Sequence, residues 1–281
     1  MYQEKPGDIS YKTFLYALRF MSIAGFIFLA LIVILKLLQI ELEPIWNVFV
    51  FSVLILWGPV AILTISALLL QDYKEGVKRW KQRQVELAAL ANVKDLQFAS
   101  YIEKRNVSHR GIPFDTTQDY AVIEILQSAQ EAAVMGVGTI VYSVREKISQ
   151  NLRIGYIAIE LNTIVPQILL DAKENNKLGS NLIEMAKKYQ VRSLEGDFDN
   201  YFTTYAPNNF DMDLRYILTP DTMAILINEA QGLDIELNNN YLYIYKSGGF
   251  DLLNAAEYDL CLRLVQSVGE KSKKRTDKYK L

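Results

Sequence analysis

One cysteine and one histidine in 281 residues leave little room for the commonest site chemistries. Cys261, being alone, excludes an intrachain disulfide framework and a cysteine-based zinc cluster. His109 excludes metal sites built on paired imidazoles and allows a single histidine-dependent dyad. Set in SHRG, it reads as an exposed turn residue with no orienting partner in the sequence. Charge of one sign is also missing: 30 Lys and Arg stand against 32 Asp and Glu, a net charge of -2. That balance lacks the basic excess that nucleic-acid binding requires, so no nucleic-acid partner is expected. The GVGT at 136–139 lacks the third glycine and the following helix of a phosphate loop and reads as a turn. No motif names a reaction, and neither a catalytic residue nor a cofactor is assigned.

What the chain does have is two long apolar runs. FMSIAGFIFLALIVIL begins at Phe20 without a charge, and with Lys36 snorkelling it extends to Leu38, enough to span a bilayer core. WNVFVFSVLILWGPVAILTISALLL fills 46–70, again uncharged, with Pro59 favouring a kink. A secretory signal peptide competes for the first run, but KLLQIELEP after it offers no small-x-small cleavage site. The reading is a two-helix transmembrane hairpin over 20–70.

Lysine and arginine placement sets its orientation. Lys5, Lys12 and Arg19 precede the first helix; Lys36 alone lies between the two; Lys74, Lys78, Arg79, Lys81 and Arg83 follow the second. The positive-inside rule puts both termini in the cytoplasm of a multi-pass cell-membrane protein. The expected organisation is a cytoplasmic tail over 1–19, the hairpin over 20–70, a basic helical stalk over 71–96, a cytoplasmic α+β domain over 97–269 and a basic tail over 270–281. Lys273, Lys274 and Arg275 in that tail, with the five stalk cations, form a candidate membrane-surface set. Plain topology determination and a solvated disordered end are the competing readings of these charges.

The domain reads as α+β with a largely antiparallel sheet. A first strand is expected over 96–103, while 120–135 is ambiguous between strand and helix. IVYSVREKI and LRIGYIAIEL carry matching apolar alternation, which implies a hairpin about Gln150 that pairs Ile148 with Leu152 and Val144 with Tyr156. A short strand, ILLDA, follows Pro166, and a helix is expected through Tyr189. Thr219, Pro220 and Asp221 start a helix that Gly232 ends. DIELNNNYLYIYK reads as a second hairpin turning at Asn239 and Asn240, pairing Leu237 with Leu242. Tyr258, Cys261, Leu262, Val265 and Val268 make the stripe of a closing helix, in which Cys261 is an inert core thiol.

The string LEGDFDNYFTTYAPNNFDMDLRYILTPDTMAILINEA, followed by DIELNNNYLYIY, resembles the C-terminal part of a bacterial membrane-protein family catalogued as domain of unknown function 3137. VPQILLDAKENN is similar to a segment of that family, and two N-terminal transmembrane helices are typical of it. The resemblance implies the architecture; it carries no activity.

Two constellations carry candidate chemistry. In EGDFD an extended segment would put Glu195, Asp197 and Asp199 on one face, where clustered carboxylates hold Mg²⁺ or Ca²⁺; the same alternation describes a half-exposed strand. Tyr241, Tyr243 and Tyr245 share a strand face, either as a binding platform or as packing. The functional expectation is a non-catalytic binding or scaffolding module on the lipid bilayer with a protein partner. The alternative is a metal-dependent hydrolase using Glu195, Asp197 and Asp199.

Overall fold

The computed structural model describes residues 44–115, 119–128, 135–142, 153–175, 190–194, 196–208 and 210–278, with backbone alone over 44–64 and at 135, 136, 142 and 190. The chain divides into two compact units, 1–85 and 86–281. The first is described by residues 44–85 of one long helix, α1 (Pro44–Val93), which takes in the second apolar run and the basic residues after it; residues 86–93 of α1 belong to the second unit. Lys74, Lys78, Arg79 and Lys81 are exposed and Arg83 is half-buried. Among the described residues no helix is long and apolar enough to cross a membrane. The expected span 20–38 lies outside the described residues, as do the side chains of 44–64, which hold most of the run 46–70.

The second unit is α+β with a large antiparallel sheet. Its strands are β1 (Leu96–Glu103), β2 (Tyr120–Ser128), β3 (Met135–Tyr142), β4 (Arg153–Ala172), β5 (Gln190–Arg192), β6 (Phe202–Ala206) and β7 (Asp234–Ser247). They run in the order β1-β2-β3-β4-β6-β5, with β7 also paired to β4, and every pairing is antiparallel. Helical segments α2 (Phe198–Tyr201), α3 (Asp211–Ile217), α4 (Pro220–Ala230), α5 (Ala255–Leu264) and α6 (Glu270–Thr276) complete it, with a π turn, Val265–Gly269, between the last two.

β4 is the spine because its sequence is apolar on both faces, which fits a central strand. Ile157 and Ile159 join a core with Leu87 and Ala91 of α1, Leu226 of α4, and Cys261 and Leu264 of α5. Ile154, Tyr156 and Ala158 point the other way and meet Tyr243, Tyr245, Ile112 and Phe114. Each such isoleucine, leucine or phenylalanine side chain withdrawn from water stabilises the fold by about 1.5–3 kcal/mol. Burial lifts the Cys261 thiol to about 12, so it stays protonated in the core.

Local signals act where they are strong. α4 begins after Thr219 with Pro220 at its first position, and Gly232 follows it at φ +82°. The Thr219 hydroxyl lies 3.0 Å from that of Thr222, and no side-chain bond caps the helix. At α5, Asn254 does cap: its Oδ1 accepts from the backbone N–H of Ala256 at 3.0 Å and of Glu257 at 3.4 Å.

Several expectations are corrected. Asn239 and Asn240 do not turn a hairpin: β7 is one continuous strand, in which Leu237 pairs with Ile168 and Leu242 with Ile159 of β4. Asn239 does adopt φ +54°, but the positive φ makes an irregularity within the strand. ILLDA is no separate strand but the end of β4. The β3–β4 pairing exists with another register, Ile140 opposite Ile154 and Gly138 opposite Tyr156; 143–150 lie outside the described residues. GVGT is part of β3, where a Cβ on Gly138 would come 2.9 Å from the Tyr156 ring, so glycine makes room for that ring. The helix expected before Tyr189 falls at 176–189, outside the described residues.

Over 270–278 the basic tail is part of the folded unit. α5 continues through the π turn into α6, with Ser272 and Thr276 buried. A Cβ on Gly269 would stand 2.7 Å from Cδ1 of Ile159, so the chain passes close to the β4 side chain at this glycine. Arg275 is committed to the fold: its Nε donates to the Tyr216 carbonyl at 2.5 Å and its guanidinium lies 4.1 Å from the Tyr216 ring centroid. Lys274 is 4.0 Å from Glu270 one helical turn earlier.

Candidate functional site

The carboxylate cluster does not form as an extended row. Gly196 and Asp197 occupy a turn, with Gly196 at φ +79°, and Phe198 opens the single helical turn of α2 with its ring buried. Asp199 holds that turn: its carboxylate accepts from Ser193 Oγ and from the Leu194 N–H at 3.2 Å, while Lys173 Nζ donates to its carbonyl. Asp197 is exposed, and Glu195 lies outside the described residues. Among the described residues no group of three or more His, Cys, Asp or Glu side chains is arranged to hold a metal ion.

The tyrosine row is packing. Tyr243 and Tyr245 are fully buried, their rings stacked 5.8 Å apart, with Tyr241 5.6 Å beyond Tyr243 and half-buried. The connection between β1 and β2 covers them. Arg110 N–H donates to Tyr243 Oη at 3.1 Å and Ile112 N–H to Glu236 Oε2 at 2.8 Å. Gly111 lies so close that a Cβ would stand 2.6 Å from Tyr245 Oη. His109 sits inside this cover, its ring centroid 5.3 Å from Phe114, 5.4 Å from Tyr156, 5.5 Å from Tyr241 and 5.8 Å from Tyr243. Burial lowers its pKa to about 4, and Nδ1 has no hydrogen-bond partner among the described residues. The expected exposed turn histidine is thus a neutral ring within an aromatic cage.

Beneath the same loop lies a carboxylate that the sequence did not single out. Glu236 is fully buried and accepts from four donors: Ile112 N–H at 2.8 Å, Tyr245 Oη at 2.9 Å, Gln167 Nε2 at 2.6 Å and Asn238 Nδ2 at 3.1 Å. Burial raises its pKa while the four donors oppose the rise. Asp234, two residues earlier, is treated alike, raised by burial and held by Ala172 N–H at 3.0 Å and Asn175 Nδ2 at 2.8 Å.

A groove opens where β4 and β7 fall out of register. Glu160 pairs with Tyr241 and Val165 with Asn239, so four residues of β4 oppose the single Asn240 and bulge outward. Pro166, which lacks a backbone donor, follows the bulge. The resulting cavity of about 850 Å³ is lined by Ser108 and Arg110 of the β1–β2 connection, residues 160–164 of β4, Asn239, Asn240 and Tyr241 of β7, and Lys273 of α6. Asn162 and Ile164 are exposed on the bulge, and Asn240 Nδ2 donates to Glu160 Oε1 at 3.1 Å. Of the candidate membrane-surface cations, Lys273 alone lines this groove.

No family model and no curated protein matches the chain. Among solved structures it is similar to the mycobacterial trehalose monomycolate transport factor A, at 12% identity and a TM-score of 0.44, over 67% of this chain and 93% of that one.

Proposed function

We propose that the chain is a membrane-anchored, non-catalytic binding module whose recognition surface is the β4–β7 groove. One observation carries the reading. The groove draws hydrogen-bonding and cationic side chains from four separate segments, while His109 and Cys261, the chain's most reactive side chains, are withdrawn into packing. A surface assembled this way can hold a partner without offering it a nucleophile–histidine pair. Anchoring rests on the uncharged runs 20–38 and 46–70, and Leu68, Leu70 and Tyr73 remain exposed at 61%, 59% and 49%. The lysine and arginine asymmetry supports cytoplasmic termini. The resemblance to domain of unknown function 3137 fits the same architecture.

Affinity capture from native membranes, comparing the wild type with Asn162→Asp, tests the binding role. A partner retained by the wild type and reduced in the variant is the expected result. No partner, together with no preference for anionic over neutral vesicles, would sink the proposal. Proteolysis of a C-terminal tag in right-side-out vesicles tests the orientation; a tag digested from outside would overturn it.

A further inference from the structure

We infer that the groove is a binding site for a phosphate ester, taken through its anionic phosphoryl group. This rests on the reading of the groove as the recognition surface and adds the chemistry of its occupant. Arg110 and Lys273 reach the same cavity from the β1–β2 connection and from α6, elements far apart in sequence. Neutral donors line the same cavity: Ser108 and the amides of Asn162 and Asn239. A carboxylate has two coplanar oxygens and is satisfied by one guanidinium fork; a phosphoryl group has three or more oxygens in a tetrahedron and accepts from several sides at once. Donors contributed by separate segments of the chain therefore match the phosphoryl group. One carboxylate, Glu160, shares the lining, and it accepts from Asn240.

The cavity is also larger than an anion needs. About 850 Å³ lies within the range of sites that enclose whole small molecules, and Ile164 and Tyr241 give the remainder of the ester an apolar wall. Arg110 is anchored at its place on the rim, since its own N–H is bonded to Tyr243 Oη at 3.1 Å and its side chain stands 3.7 Å from Asp115. A soluble phosphate ester and a phospholipid headgroup share this chemistry, and the test separates them.

The whole chain in neutral detergent is titrated by calorimetry with glycerol 3-phosphate and, separately, with dihexanoylphosphatidylglycerol below its micellar concentration. Saturable binding is expected for at least one probe. Arg110→Gln and Lys273→Gln should each weaken it about tenfold, as loss of a charge-assisted hydrogen bond does. Asn162→Asp, a change at an exposed bulge residue, should weaken it as well while leaving the near-ultraviolet circular dichroism unchanged. Binding of the soluble probe identifies a free ester, and binding of the lipid alone identifies a headgroup. No saturable binding of either, or binding that the three variants leave intact, overturns the inference. Should that happen while Asn162→Asp still reduces partner capture, the phosphate assignment falls and the binding role stands.

Discussion

Removing the Glu236 carboxylate tests how the cover over the tyrosine row is held. In Glu236→Ala the Ile112 N–H and Tyr245 Oη lose their acceptor in a site without exposed surface, while Gln167, half-buried, can recover water. Losing these buried hydrogen bonds, with that of the buried Asn238 amide to the same carboxylate, plus the side-chain void, costs about 3–5 kcal/mol. That is a large share of the roughly 5–15 kcal/mol that a domain has to lose. Glu236→Gln behaves differently. Its oxygen can keep Ile112 N–H and Tyr245 Oη, and its amide can face Gln167 and Asn238 once those amides turn, so the cost at pH 7 stays near or below about 1 kcal/mol. The pH dependence has a definite sign. Burial raises the Glu236 pKa above the ordinary 4.5, so its contribution is full in acid and is lost as pH rises through the raised value. The Gln variant, neutral throughout, lacks that loss. Thermal unfolding of the whole chain in detergent, followed by near-ultraviolet circular dichroism of the tyrosines, measures both effects. A Glu236→Ala protein within about 1 kcal/mol of wild type would refute the buried four-donor site.

His109 has the opposite pH sign: with its pKa lowered to about 4 from 6.5, the unfolded chain takes up the proton first, so stability complete above about 6.5 falls away toward 4, by on the order of 3 kcal/mol. His109→Phe should match wild type at pH 7 and lose less between pH 6.5 and 4 in the same melts. Gly155→Ala should destabilise by about 3 kcal/mol or more, because its Cβ would meet Gly249 Cα at 2.6 Å and Phe250 N at 2.8 Å, backbone that cannot swing aside. Gly196→Ala, with nothing within 4 Å but φ at +79°, should cost about 1 kcal/mol of backbone strain. Asp199→Ala should cost about 1–2 kcal/mol through its lost bonds to Ser193 and Leu194, and titration calorimetry should show Mg²⁺ and Ca²⁺ uptake unchanged.

What could be read from the chain was what neighbours in sequence decide. Thr219, Pro220 and Gly232 bound α4 because each acts on its own turn of helix, and the apolar alternation of β4 marks a central strand. NNN at 238–240 misleads because positive φ at Asn239 serves a turn and a strand irregularity equally. The choice is made by the four-residue bulge in β4, some 80 positions away, and no local pattern reports it. Likewise Asp234, Glu236 and Asn238 alternate like a solvated face, yet all three are buried beneath other segments. The signal for the burial of Glu236 was Ile112 and Phe114, apolar residues inside a mostly polar connection, which needed a surface to cover. In the tail, dense charge concealed Gly269, Ser272 and Thr276, the small residues that dock α6.

Whether an occupant fills the β4–β7 groove in the membrane-bound protein can be read by thiol labelling. Asn162→Cys puts a thiol on the exposed bulge, and Met212→Cys, at a position 81% exposed on α3, serves as control; native Cys261 is buried, so the chain supplies its own blank. Maleimide labelling rates are compared in native membranes and in the washed, purified protein. An occupied groove predicts slower labelling at 162 in membranes and equal rates at 212. Equal rates at both positions would contradict it.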